Sequence, residues 1–197
     1  MKHGVPVHVR SSFSSSPGTV VTSESDLEEV VVTGIAYDKN EARVMLVGVR
    51  DQPGVVAEIF GRLAEHNVSV DMIIQNVSVA DREGTQALST DVTFTATKTD
   101  LQRVRDVIDD IAAKVGAQAV RFDEDIAKIS IVGLGMRSHA GVAAKMFRTL
   151  ADHAINIQAI STSEIRVSCL VATKYTELAV NALHDAFELD RAPAERS

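Results

Sequence analysis

Ala42-Arg43-Val44-Met45-Leu46-Val47-Gly48-Val49 recurs, in residue type and spacing, as Ala127-Lys128-Ile129-Ser130-Ile131-Val132-Gly133-Leu134. The offset between these stretches is 85 residues, and after the following loop the match resumes at an offset of 87. There Gly54 pairs with Gly141, Ala57 with Ala144, Phe60 with Phe147, Leu63 with Leu150 and His66 with His153. Val68 and Val70 pair with Ile155 and Ile157, so the second copy carries two extra loop residues. Agreement of type and spacing over this length marks a duplicated unit of roughly 85 residues, the size of one small module.

Within the first copy, 43–49 alternates β-branched residues and predicts a strand. Asp51, Pro53 and Gly54 predict a turn. Residues 55–65 place Val56, Ile59, Phe60 and Leu63 on one helical face, and Asn67 is the expected stop. A second strand over 68–77, a polar loop over 81–89 and a third strand over 91–96 follow. Thr99 or Asp100 is the expected cap of a helix running to Val115, with Leu101, Val104, Ile108 and Ile111 inward. Gly116 ends it, and 119–122 forms a short fourth strand. The order βαββαβ is that of a ferredoxin-like α+β module.

The second copy predicts a strand over 127–134, a helix over 141–153, strands over 155–161 and 164–172, and a helix over 175–187. No fourth strand follows, which would leave one sheet margin uncovered. The orphan strand-like segment 29–37, Glu-Val-Val-Val-Thr-Gly-Ile-Ala-Tyr, lies ahead of the first copy and is expected to fill that place. The first module is then inserted in the second: 41–123 forms one, and 28–40 plus 124–189 the other. Residues 1–27, with Ser11-Ser12-Phe13-Ser14-Ser15-Ser16-Pro17-Gly18, bury little apolar surface and are expected to be a disordered linker, save for a possible strand remnant at 5–9. A flexible tail is expected over 190–197.

Composition narrows the function. The chain has 197 residues, a net charge of −7, no Trp and one Cys. Without a basic stripe or stacking aromatics a nucleic-acid partner is not expected. No apolar run is long enough to cross a bilayer, and no signal-peptide core is present, so neither membrane nor export is expected. Cys169, inside Arg-Val-Ser-Cys-Leu-Val, is expected to be a small buried hydrophobe in a reduced, cytoplasmic setting. The histidines are not grouped with Cys or carboxylates at ligand spacing, so no metal and no cofactor are expected. Gly133-Leu134-Gly135 lacks the last glycine of a dinucleotide fingerprint, where Ser138 stands.

The turn after the first strand is the candidate site. A free amino acid presents an ammonium, a carboxylate and a side chain, and each buried polar group left unmatched costs roughly 1–3 kcal/mol. Gly54, Val55 and Val56 open a helix whose first N–H groups lack intrahelical partners and can take a carboxylate. Gly54 would allow close approach, Pro53 stiffens the turn, Asp51 can accept from an ammonium or hydroxyl, and Gln75 both donates and accepts. The same pattern also serves as a plain turn and helix start, and Gln75 can simply satisfy a sheet edge.

Asp51-Gln52-Pro53-Gly54 with Asn67-Val68-Ser69-Val70-Asp71-Met72-Ile73-Ile74-Gln75-Asn76-Val77-Ser78 resembles the first ACT domain of aspartokinase. Gly133-Leu134-Gly135-Met136-Arg137-Ser138-His139-Ala140-Gly141 and Ile160-Ser161-Thr162-Ser163-Glu164-Ile165-Arg166 resemble the second. His3-Gly4-Val5-Pro6-Val7-His8-Val9-Arg10-Ser11-Ser12-Phe13-Ser14 resembles the end of the kinase domain, and Met1 just before it fits an internal translation start. The resemblance implies a non-catalytic regulatory β subunit in an α2β2 holoenzyme with a catalytic α subunit that phosphorylates aspartate. It implies self-association as a homodimer with ACT modules paired between chains, and feedback inhibition by threonine, alone or together with lysine. It places Asp51, Pro53, Gly54, Val55, Val56, Gln75, Asn156 and Ile157 around the effector. A second site, for lysine or vestigial, would draw on Met136, Arg137, Ser138, His139 and Gly141 with Asp71 and Ser78. Ala140 departs from the family there, where proline is usual, as does Ala154, where asparagine often stands; the loop 81–90 is longer than usual. The competing readings are a stand-alone ferredoxin-like enzyme such as an acyl-phosphate hydrolase, and an RNA-binding module with Phe94 as the main central-strand aromatic.

Overall fold

A computed structural model of the chain describes residues 7–13, 18–21, 32–76, 89–133 and 140–191. The strands are β1 (Val7–Val9), β2 (Thr19–Val21), β3 (Gly34–Asp38), β4 (Glu41–Arg50), β5 (Val70–Gln75), β6 (Ser89–Thr97), β7 (Ala119–Asp123), β8 (Ile126–Val132), β9 (Ala159–Thr162) and β10 (Arg166–Ala172). The helices are α1 (Val55–Glu65), α2 (Leu101–Val115), α3 (Ala140–Asp152) and α4 (Thr176–Ala186). Two four-stranded antiparallel sheets run β5-β6-β4-β7 and β3-β8-β10-β9. Each α+β module follows the βαββαβ plan. In the second sheet β3 pairs antiparallel with β8 from Gly34↔Val132 to Asp38↔Lys128. That is the position β7 takes beside β4 in the first sheet. The orphan strand therefore closes the second sheet, and the first module lies between it and the rest of the second. In the N-terminal stretch expected to lack structure, β1 and β2 pair as a two-stranded ribbon.

Alternation explains the layers. Ala42, Val44 and Leu46 of β4 and Val92, Phe94 and Ala96 of β6 pack against Ile59 and Leu63 of α1 and Val104, Ile108 and Ile111 of α2. Val55 joins this face as a buried residue, whereas Val56 and Phe60 are half-buried at its margin. Phe94 is fully buried, edge-on to Phe60 with ring centroids 5.6 Å apart, so it is not available to stack on a base. The second core joins Ile129 and Ile131 of β8 and Val167, Cys169 and Val171 of β10 to Met146, Leu150, Ala179 and Leu183 of the helices. Cys169 is buried as expected, and burial pushes its thiol up to about 12.

The backs of the two sheets meet. Met72, Ile126 and Leu170 form a small buried cluster with Ile74 and Ala159 at its edge. Val167 to Val171 of β10 are therefore buried on both faces of the strand. Beside this cluster Lys128 of β8 donates to Glu41 and Asp71 of the first module, with Arg166 Nη2 4.0 Å from Asp71. Burial opposes the charge on Lys128, but its hydrogen bonds to Asp71 and Glu41 outweigh that and hold its pKa above the ordinary lysine value.

Several element ends differ in detail from expectation. Asp100, one of the two expected caps, stands at the N-cap position of α2 but its side chain makes no capping bond; a 3₁₀ turn over Lys98–Asp100 precedes the helix, and Thr97 Oγ1 accepts from the Asp100 N–H at 3.2 Å. The expected strand over 155–161 begins only at Ala159. Ile155 still belongs to the helix exit, where its N–H donates to the Leu150 carbonyl, and its side chain plugs the second core. A 3₁₀ turn over Thr173–Tyr175 likewise occupies the start of the expected last helix. Asn67 at the end of α1 adopts φ 55°, and its counterpart Ala154 adopts φ 53°. His66 and His153 each bring Nδ1 to 2.9 Å from a carbonyl one turn back, that of Arg62 and Thr149. The ring N–H thus takes up an acceptor that the helix end leaves unpaired.

Candidate functional site

β4 and β5 deliver the site from opposite sides. Asp51, Gln52, Pro53, Gly54, Val55, Val56 and Gln75 line one cavity of about 400 Å³. Six of the eight residues expected around an effector thus come together, with Gln52 as an addition. Nothing in the sequence singled Gln52 out beyond its place inside the turn. Asp51 to Gly54 and Gln75 are exposed, while Val55 is buried and Val56 half-buried, so the cavity has a polar mouth over an apolar floor. Asp51 supplies a carboxylate, and Gln75 supplies a donor and an acceptor across from it.

Gly54 sits at the helix start with φ 93°, a conformation that side chains disfavour. A Cβ there would meet nothing within 4 Å, so the glycine is needed for the backbone angle and not for space. No side chain caps α1. The Val55 N–H leans back to the Gln52 carbonyl at 3.3 Å and the Glu58 N–H bonds the Gly54 carbonyl at 2.9 Å. Helix geometry leaves the next N–H groups, at Val56 and Ala57, without an intrahelical acceptor, and these are the donors suited to a carboxylate. Glu58 is turned aside to Lys114, whose Nζ lies 2.7 Å away and holds the Glu58 carboxyl below its usual range.

Asn156 and Ile157 do not line this cavity within the single chain. They lie between α3 and β9, Asn156 exposed and Ile157 half-buried. Of the second-site candidates, Ser78, Met136, Arg137, Ser138 and His139 lie outside the described residues, as does most of the 81–90 loop. Asp71 is described, and it is engaged by Lys128. Gly141 lies in the first turn of α3 with open space around it. Among the described residues no group of three His, Cys, Asp or Glu could hold a metal ion, and no helix is long and apolar enough to cross a membrane.

The ACT domain profile matches residues 43–113 and, in a second form, 129–187. A crystal structure of aspartokinase alpha and beta subunits is 49% identical, with a TM-score of 0.72, covering 81% of this chain and 100% of the other. This chain belongs to the aspartokinase family. The ligand-free regulatory subunit of aspartate kinase from Thermus thermophilus superimposes with a TM-score of 0.72 at 39% identity, over 80% of this chain and 99% of that one. Aspartate kinase of Stutzerimonas stutzeri is 49% identical over 195 residues, 98% of this chain but 45% of the relative. The chain thus spans about half the length of the curated relatives it matches and corresponds to the regulatory, tandem-ACT part of an aspartokinase.

Proposed function

We propose that this chain senses a free amino acid for an aspartokinase and transmits feedback inhibition of aspartate phosphorylation. The observation that carries the reading is the cavity in which Asp51, Gln75 and the open N-terminus of α1 converge. Its volume lies in the range of small-molecule sites. A zwitterion fits that chemistry: carboxylate on the Val56 and Ala57 amides, ammonium on Asp51, and a hydroxyl within reach of Gln75. Threonine is the favoured effector, alone or with lysine. A lysine side chain would add a second ammonium at a mouth that offers one carboxylate.

The second module completes the site from another copy of the chain. Two observations support this. Asn156 is exposed and Ile157 half-buried, and neither lines the cavity of their own chain. The sheets also end on β5 and β9, where Ile73 is 50% and Ile160 45% exposed on open edges. The working unit is then a homodimer, joined to a catalytic subunit in an α2β2 assembly in the cytoplasm. In the same reading 41–123 is one module and 28–40 plus 124–189 the other, with 1–27 as the linker from a kinase end and 190–197 as a tail. The hydrolase alternative finds no support in these relatives.

Thermal melting with sedimentation, in threonine, lysine and both, tests the proposal. Threonine at 100 times its Kd stabilises the native state by about 2.7 kcal/mol, so the melting temperature rises and the dimer fraction grows with it. Melting and association that ignore both amino acids would overturn the reading.

A further inference from the structure

We propose that Asp91, with Thr90, is a positioning residue that sets the register on which the effector cavity depends. The inference rests on the cavity reading above. On β4 the buried apolar residues are Ala42, Val44, Leu46 and then Val49, so the alternation breaks between Leu46 and Val49. Pairing shows the same break: Leu46 faces Val92, and Val49 faces Thr90. Three steps on β4 match two on β6, which is one inserted residue. Without that insertion every side chain after Gly48 would point to the other face, and Asp51 would leave the helix side of the sheet.

Asp91 holds the insertion. Its Oδ1 accepts the Gly48 N–H at 2.8 Å, while the Gln118 N–H bonds the Val47 carbonyl at 2.8 Å. Gly48 has φ 66°, a conformation that favours glycine, and a Cβ there would also press on the Gln118 side chain, 2.6 Å from its Cδ. The same pair of residues grips the opposite wall. The Asp91 carbonyl accepts the Asn76 N–H at 3.3 Å, and the Thr90 hydroxyl donates to the Asn76 carbonyl. Asn76 directly follows Gln75. One dipeptide, with Thr90 buried, therefore ties the strand that leads to Asp51 and the strand that ends at Gln75.

The test compares Asp91→Ala and Asp91→Asn in the full chain, with Ile108→Val, a core residue of α2 that does not line the cavity, as a destabilised control. Threonine affinity is measured by calorimetry, and the Gly48 and Gln75 amides by NMR. Asp91→Ala is expected to weaken threonine binding at least tenfold and to move both amides. Asp91→Asn keeps an oxygen acceptor and is expected to bind within about threefold of the unsubstituted chain, as is Ile108→Val. The proposal is overturned if Asp91→Ala shifts Gly48 but leaves Gln75 and affinity unchanged, or if Asp91→Asn fails as badly as Asp91→Ala. If the unsubstituted chain binds no threonine, the sensor reading fails, and the paired movement of the two amides still decides the clamp.

Discussion

Replacing Lys128 by Met removes a side chain that donates from the second module to both Glu41 and Asp71 of the first. Lys128 is 12% exposed at its side chain and Glu41 4%, whereas Asp71 is 40% exposed. Asp71 can return to water, and its share is that of a surface pair, about 0.2–1 kcal/mol. Glu41 cannot: its carboxylate would stay buried with no cation, and its Oε2 already lacks a hydrogen-bond partner. Breaking a buried pair from one side costs about 3–5 kcal/mol. The half-exposed flank favours the low end, so the expected loss is about 3 kcal/mol. For a chain of this size that lowers the melting temperature by about 6–12 °C. The double variant Glu41→Leu with Lys128→Met leaves no stranded charge and should recover most of the loss, because an apolar pair can replace a buried ion pair at little cost. Urea unfolding of the three proteins is the assay. A loss under about 1 kcal/mol for Lys128→Met, or a double variant as unstable as the single, would refute the reasoning. The pH dependence follows in sign. The folded pKa of Lys128 lies above its ordinary value, so its stabilisation is full at lower pH and is lost as pH rises through that raised value. Lys128→Met should lack this alkaline decline.

Other outcomes follow from single residues. Ala154 holds φ 53°, a left-handed conformation that costs a side chain about 1–2 kcal/mol, so Ala154→Gly should raise the melting temperature, and an unchanged or lower value contradicts the assignment. Gly54→Ala meets open space but a forbidden angle, so it should leave the overall fold intact by circular dichroism, cost about 1 kcal/mol or more, and reshape the cavity mouth enough to weaken threonine binding. The Cys169 thiol, raised to about 12 by burial, should resist alkylation at pH 8 until the chain is unfolded; rapid labelling of the native protein would contradict its place in the core.

The repeat made the fold legible. The two offsets align Gly54 with Gly141 and His66 with His153 from sequence alone, and the lack of a closing strand in the second copy points to the orphan segment at 29–37. Strands and helices with clean alternation or a 3.6-residue period fell where expected. Boundaries failed where two patterns overlap. Ile155 and Ile157 alternate like a strand, yet Ile155 is the last anchor of a helix exit. Thr97 was hidden as a cap because it serves the 3₁₀ turn that runs ahead of the helix start. The cavity residues on the turn were readable because an open helix start, a glycine and a carboxylate make chemical sense together. The contacts across the sheets were not. Lys128 meets Glu41 and Asp71 over separations of 87 and 57 residues, and no local pattern encodes that meeting. The bulge left a trace, the broken alternation between Leu46 and Val49, but its clamp by Asp91 required the structure.

Titration calorimetry of the intact chain with threonine, run beside Asp51→Ala, bears most directly on the sensor assignment. Saturable binding of one threonine per chain, weakened about 5- to 150-fold by Asp51→Ala in keeping with the 1–3 kcal/mol of an unmatched polar group, is the expected result. Equal heats for both proteins, or none for either, would contradict it.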